Sequence, residues 1–226
     1  MSKSSSNYYL DNSTRLGWGE KSQVDEERIK LLKQFIYGKK ILDVGCGFGQ
    51  YVDFLSSQGF ESFGVDNVAE FIRIAKLTKR GIFVKGKAEK LPFEANFFDT
   101  VCLFDILEHA DDIKILKEAK RISIKRILVI VPRVVDQELE SSGIVFRHYI
   151  DKTHLREYRE ADFKKLADFL GLKLIHLQTV HNLNSKNIFI VLFRGPTLFR
   201  DIVRKIVFWI LPRKSYPTEY FAVFEK

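Results

Sequence analysis

Three glycines spaced two apart, Gly45, Gly47 and Gly49, stand where a short apolar run, Lys40–Val44, gives way to a segment with helical spacing, Tyr51–Ser57. Glycine lets the chain turn sharply at such a junction, and it lets a ligand lie against the backbone with no Cβ in the way. The same order of elements then repeats. Strand Ser62–Val65 precedes helix Val68–Thr78 and strand Ile82–Val84, and the apolar runs Phe98–Phe104 and Ile127–Val131 flank an amphipathic helix, Ile113–Ile122. A further helix is expected ahead of the first strand, over Val24–Tyr37, with Gly38 as its cap. Strands alternating with helices predict an α/β, doubly wound, mostly parallel sheet covered on both faces, with its ligand beyond the carboxyl ends of the strands.

After Pro132 the rhythm breaks. A polar connection, Val134–Thr153, leads to a helix near Glu160–Leu170 and a strand near Leu172–Val180. Two strongly apolar segments follow, Asn187–Phe193 and Thr197–Leu211, split by Gly195 and Pro196, and Glu219–Glu225 is expected as the last strand. At 226 residues the chain is read as one domain. Its expected parts are a mobile start (1–23), a core (24–180), an apolar and basic helical insertion (181–218) and the last strand (219–226).

Asp66 ends the second strand, 17 positions after Gly49, where a carboxylate can accept hydrogen bonds from two ribose hydroxyls. A dinucleotide fingerprint would place its third glycine where Gln50 stands, and Asp43 favours a cationic ligand over a pyrophosphate. Both features argue against a nicotinamide cofactor. Further along come Gly86-Lys87-Ala88-Glu89-Lys90-Leu91-Pro92-Phe93, then Phe97-Phe98-Asp99-Thr100-Val101, then Leu107-Glu108-His109. With these motifs in order, residues 25 to 180 resemble the class I S-adenosylmethionine-dependent methyltransferases, the small type 11 branch in particular. The resemblance implies a Rossmann-like fold whose last strand is antiparallel, and S-adenosylmethionine as methyl donor. It implies that Asp43, Gly45, Cys46, Gly47 and Gly49 surround the methionine moiety, Asp66 and Asn67 the ribose, and Ala88 and Glu89 the adenine. Phe104, at the end of the fourth strand, would lie beside the reactive methyl, though relatives often carry a small or polar residue there.

Methyl transfer from a sulfonium is an in-line displacement in which positioning supplies much of the rate, and a hydroxyl acceptor gains from a nearby base. His154, His148 and His109 are the candidates. The first two lie in Arg147–Tyr158, where the fold would bring a loop over the acceptor pocket; loop packing and helix capping are the structural alternative. The histidine spacing is not a zinc pattern, and Cys46 and Cys102 each lie in an apolar run, so no metal and no disulfide is expected. The expected acceptor is a small-molecule, lipid-linked or glycan nucleophile at O, N or C.

A net charge of +8 suits an anionic partner or simply a solvated Lys-rich surface. An RNA or DNA methyltransferase is the second reading, but Phe104-Asp105-Ile106-Leu107 replaces the Asn-Pro-Pro-Tyr type of motif. A donor-binding module without catalysis is the third. In Leu198–Ile210 the apolar residues share one helical face, with Trp209 near the end and Arg213 and Lys214 beyond, so residues 197–214 would suit peripheral membrane contact as well as packing on the chain's own sheet or a partner. The Ser-rich start has no apolar core like a signal peptide's, and no apolar stretch reaches a span of about 18 residues. A cytoplasmic protein is expected, peripheral at the inner membrane face where residues 197–214 meet lipid.

Overall fold

The computed structural model describes residues 23–135, 151–184 and 215–226, together with positions 9, 13, 19, 20 and 137. In chain order the elements are α1 (Glu26–Phe35), β1 (Lys40–Val44), α2 (Gln50–Ser57), β2 (Glu61–Asp66), α3 (Ala69–Thr78), β3 (Ile82–Lys85), β4 (Phe98–Phe104), a 3-10 turn (Leu107–His109), α4 (Asp112–Ile122), β5 (Ser123–Pro132), α5 (Glu160–Leu170), β6 (Lys173–Asn184) and β7 (Ser215–Glu225). The strands form one sheet in the order β3-β2-β1-β4-β5-β7-β6. β1 to β5 are parallel, and β7 runs antiparallel to both its neighbours, β5 and β6. This is the doubly wound sheet with an antiparallel last strand that the sequence predicts. Its strand order reverses between β1 and β4, which opens a crevice beyond their carboxyl ends.

The elements form where the apolar pattern places them. α4 buries Ile115, Leu116, Ala119 and Ile122 on one face; Asp111 caps its start by accepting from the Lys114 N–H, and Lys120 and Arg121 occupy its last turn. α5 ends at Gly171 in the left-handed conformation. The abundance of phenylalanine, 20 in all, is partly explained by one cluster. The Phe63, Phe93 and Phe97 rings each meet Phe98 edge-on at 5.1, 4.8 and 4.9 Å between centroids. Phe98 is fully buried at the start of β4, so this cluster pins the end of the sheet opposite the crevice.

Two boundaries move. β6 continues to Asn184 and β7 begins at Ser215, paired through Asn182↔Pro217 and Asn184↔Ser215, so the expected insertion shrinks to 185–214. These ends pair through backbone ladder bonds, which leave no mark in the apolar pattern of either segment. Residues 185–214, with the amphipathic segment, lie outside the described residues, as does His148. Among the few described positions before residue 23, Ser13 and Gly19 are buried and Tyr9 lies in the wall of the crevice.

Candidate active site

The turn after β1 is built by three left-handed glycines, Gly45, Gly47 and Gly49, with φ of 79°, 52° and 80°. The N–H groups of Gly45 and Cys46 both donate to the Val65 carbonyl, at 2.7 and 3.1 Å, which ties the turn to β2. The glycines then differ in purpose. A Cβ on Gly47 would meet nothing within 4 Å, whereas one on Gly49 would lie 2.4 Å from the Phe83 ring. Gly47 thus leaves room on the crevice side, while Gly49 lets the turn close on the core and is not part of the crevice wall. The Cys46 side chain also faces the core, beside Val52, Ile72, Ala75 and Phe83, and burial pushes its thiol well up.

Asp66 closes the turn from the other side. Its Oδ2 accepts from the Gly47 N–H at 3.0 Å and its Oδ1 from the Val68 N–H at 2.8 Å, which fixes a carboxylate that still has accepting capacity for a ligand hydroxyl. Burial raises its carboxyl while the amides of Val68, Gly47 and Asn67 work the other way. Asp43 is buried behind the turn. Burial, reinforced by the Asp66 carboxylate and partly offset by Arg28, pushes its carboxyl up to about 7. A buried carboxylate short of positive charge is a site prepared for a cation.

These residues line a cavity of about 450 Å³, together with Asn67, Ala88, Glu89 and Phe104, each expected there from the sequence. The size is that of a nucleoside-like ligand with a substrate beside it. Its second wall has no counterpart in the sequence reading. Arg28, on α1, donates to both oxygens of Asp105, at 2.6 and 3.2 Å, and to Glu219 at 3.0 Å. Burial opposes its charge, but Asp105 and Glu219 hold the guanidinium firmly protonated. His181 joins the same network through Glu219 (2.6 Å) and Asp25 (2.8 Å), and the Glu219 contact, against burial, lifts its imidazole to about 9. One network therefore clamps α1 to β4, β6 and β7. Nothing periodic marks Arg28 or His181, because their partners lie far off in sequence.

The far end of the cavity carries His109 and Asp151. His109 Nδ1 lies 2.8 Å from the Thr153 hydroxyl, which donates to Asp151 at 2.7 Å and accepts from the Tyr9 hydroxyl at 3.3 Å. Burial, with His154 beside it, lowers His109 to about 4, so the ring is neutral at pH 7. The His154 ring stands edge-on to it at 4.6 Å between centroids, outside the cavity wall. Glu108 is buried beneath, its Oε2 without a hydrogen-bond partner among the described residues, and burial, with Asp105 adding to it, raises its carboxyl well above the usual range. Glu108, His109 and His154 bring one donor atom each within 4.8 Å of the others, the grouping among the described residues that a divalent ion could use, although the sequence reading assigned no metal.

Residues 42–130 match the family described as "Methyltransferase domain". An uncharacterized protein of Methanocaldococcus jannaschii is 28% identical over 188 residues, 82% of each chain. A ubiquinone biosynthesis O-methyltransferase of Pectobacterium carotovorum is 32% identical over 83 residues, 34% of this chain and 35% of that one. Among solved structures, a SAM-dependent methyltransferase from Archaeoglobus fulgidus superposes with a TM-score of 0.69 at 17% identity, covering 97% of this chain and 99% of that one. At that identity the likeness is one of fold.

Proposed function

We propose that this chain, which belongs to the class I S-adenosylmethionine-dependent methyltransferases, transfers the methyl group to a hydroxyl oxygen of a small-molecule, lipid-linked or glycan acceptor. The crevice fits the donor: open space at Gly47, an Asp66 carboxylate fixed by backbone amides and able to accept from the ribose, and a buried Asp43 that gains from a positive charge. Asp43 and the Gly45–Gly47 turn would hold the methionine end, Asp66 and Asn67 the ribose, Ala88 and Glu89 the adenine. When bound, S-adenosylmethionine supplies a methyl group already activated on a sulfonium, so the protein's tasks are alignment and, for a hydroxyl, removal of one proton.

The observation that carries the acceptor class is the neutral His109 in the cavity wall. An amine acceptor is already nucleophilic when unprotonated, whereas a hydroxyl gains from a lone pair that takes its proton as the new bond forms. Phe104 and Ile106 close the wall around that end and exclude water from the hydroxyl. Oxygen is also the acceptor atom in the name of the Pectobacterium relative. His154 supports His109 from behind, and His148 lies outside the described residues.

The test is calorimetric titration with S-adenosylmethionine, S-adenosylhomocysteine and NAD, followed by labelled methyl transfer into small-molecule, lipid, glycan and RNA fractions. Binding of the two sulfur compounds but not NAD, with label recovered as a methyl ether, is the expected result. Label in RNA or on an amine nitrogen overturns the acceptor assignment.

A further inference from the structure

The geometry points to Asp151 and Thr153 as positioning residues that hold His109 in its Nδ1–H tautomer and so leave Nε2 as the proton acceptor at the acceptor end of the cavity. The Thr153 hydroxyl has one hydrogen and two lone pairs. An ionised Asp151 can only accept, and its Oδ1 lies 2.7 Å from the hydroxyl oxygen, so that hydrogen belongs to Asp151. The Thr153 N–H also donates to the same Oδ1 at 2.9 Å, which locks the pair as a closed local turn. Thr153 Oγ1 must therefore accept from its other neighbours: the Tyr9 hydroxyl at 3.3 Å and His109 Nδ1 at 2.8 Å. A neutral imidazole has one N–H, and here it stands on Nδ1.

The consequence is chemical. Nε2 keeps its lone pair, and Glu108 Oε1, 4.0 Å away, is beyond hydrogen-bond reach. As the bond from acceptor oxygen to methyl carbon forms and the methyl–sulfur bond breaks, the hydroxyl proton passes to His109 Nε2. The positive charge on the ring is then stabilised through Thr153 by Asp151, which stays ionised throughout. The same orientation logic operates wherever a carboxylate fixes the tautomer of a catalytic histidine, and the wrong tautomer there costs orders of magnitude in turnover. This chain differs by placing a threonine hydroxyl between the two. It also draws in Tyr9, 144 positions away in sequence, whose hydroxyl donates to the same threonine oxygen.

This inference deepens the hydroxyl-acceptor reading, and its primary test does not depend on it. Ring nitrogen correlations of ¹⁵N-histidine-labelled full-length protein report which nitrogen of His109 carries the proton. The wild type is expected to show Nδ1–H. Thr153→Val, close in shape but without the hydroxyl, is expected to lose that preference, and Thr153→Ser to restore it. Asp151→Asn can turn an amide N–H toward the threonine oxygen and release the hydroxyl hydrogen to Nδ1, so it is expected to reverse the tautomer to Nε2–H. On a hydroxyl acceptor, Thr153→Val should lower kcat by tenfold or more and Asp151→Asn by a larger factor, with donor affinity and acceptor KM within twofold. An Nε2–H tautomer in the wild type, or an unchanged tautomer in folded Thr153→Val, overturns the assignment. An Nδ1–H wild type with no methylated hydroxyl product would instead leave the tautomer standing and count against the acceptor class alone.

Discussion

Donor binding should expel a proton from Asp43. The free protein holds this carboxyl up to about 7, through burial and the nearby Asp66 carboxylate. A ligand carrying positive charge binds the ionised form, so protonation competes with it. The direction follows: affinity rises with pH through the midpoint and falls below it. If the bound state keeps Asp43 ionised, the dissociation constant weakens about tenfold for each pH unit below the midpoint, which is about 1.4 kcal/mol per unit. Between pH 8 and pH 5 the expected loss is therefore roughly ninetyfold, from the ratio of (1 + 10²) to (1 + 10⁻¹). Calorimetric titration with S-adenosylmethionine at several pH values measures this directly. Repeating it at pH 7 in two buffers of different ionisation enthalpy should show about half a proton released per ligand. Asp43→Asn should bind more weakly at pH 8 and lose most of the pH dependence. An affinity that stays flat between pH 5.5 and 8 in the wild type, with no proton release, would refute the reasoning and remove Asp43 from the charge balance of the site.

Gly47 and Gly49 should separate binding from stability: Gly49→Ala drives a methyl group against Phe83 and is expected to cost roughly 2–4 kcal/mol in urea unfolding with donor affinity of the folded protein unchanged, whereas Gly47→Ala should cost about 1–2 kcal/mol but weaken the donor strongly. Asp66→Ala removes both the ligand acceptor and the anchor of the Gly47 N–H, so donor binding should weaken by more than tenfold in a protein that still folds. His181, lifted from the ordinary 6.5 to about 9 chiefly by Glu219, adds stability that is fully present below pH 6.5 and lost as pH rises through 9; the melting temperature should fall across that window, and His181→Gln should flatten the fall. If residues 197–214 meet a membrane surface, the protein floats with anionic liposomes and Phe208→Glu with Trp209→Glu abolishes it; a wild type that never floats ends that reading.

The fold and the donor half of the site were legible because both are local. A strand, a glycine turn and a helix within Lys40–Ser57 announce themselves by period and by residue type, and Asp66 stands at the end of the next strand. The far ends of β6 and β7 were not legible, because pairing between Asn184 and Ser215 is a property of two segments that neither announces alone. The acceptor half was legible only as a set of candidates. His109 and His154 are ordinary residues in a pattern, and their places follow from a 3-10 turn after β4 and a loop before α5 that meet in space. Arg28 shows the limit most sharply. It lies one residue before Ile29 on an amphipathic helix and reads as a solvated charge, yet it is buried against partners 77 and 191 positions away. A buried charge of that kind is costly unless paired, so Asp105 and Glu219 must be in place before α1 can seat. Closing the cavity therefore depends on the last strand of the sheet, because Glu219 belongs to β7, and the donor-binding turn at the start of the domain depends for its second wall on residues near the end of the chain.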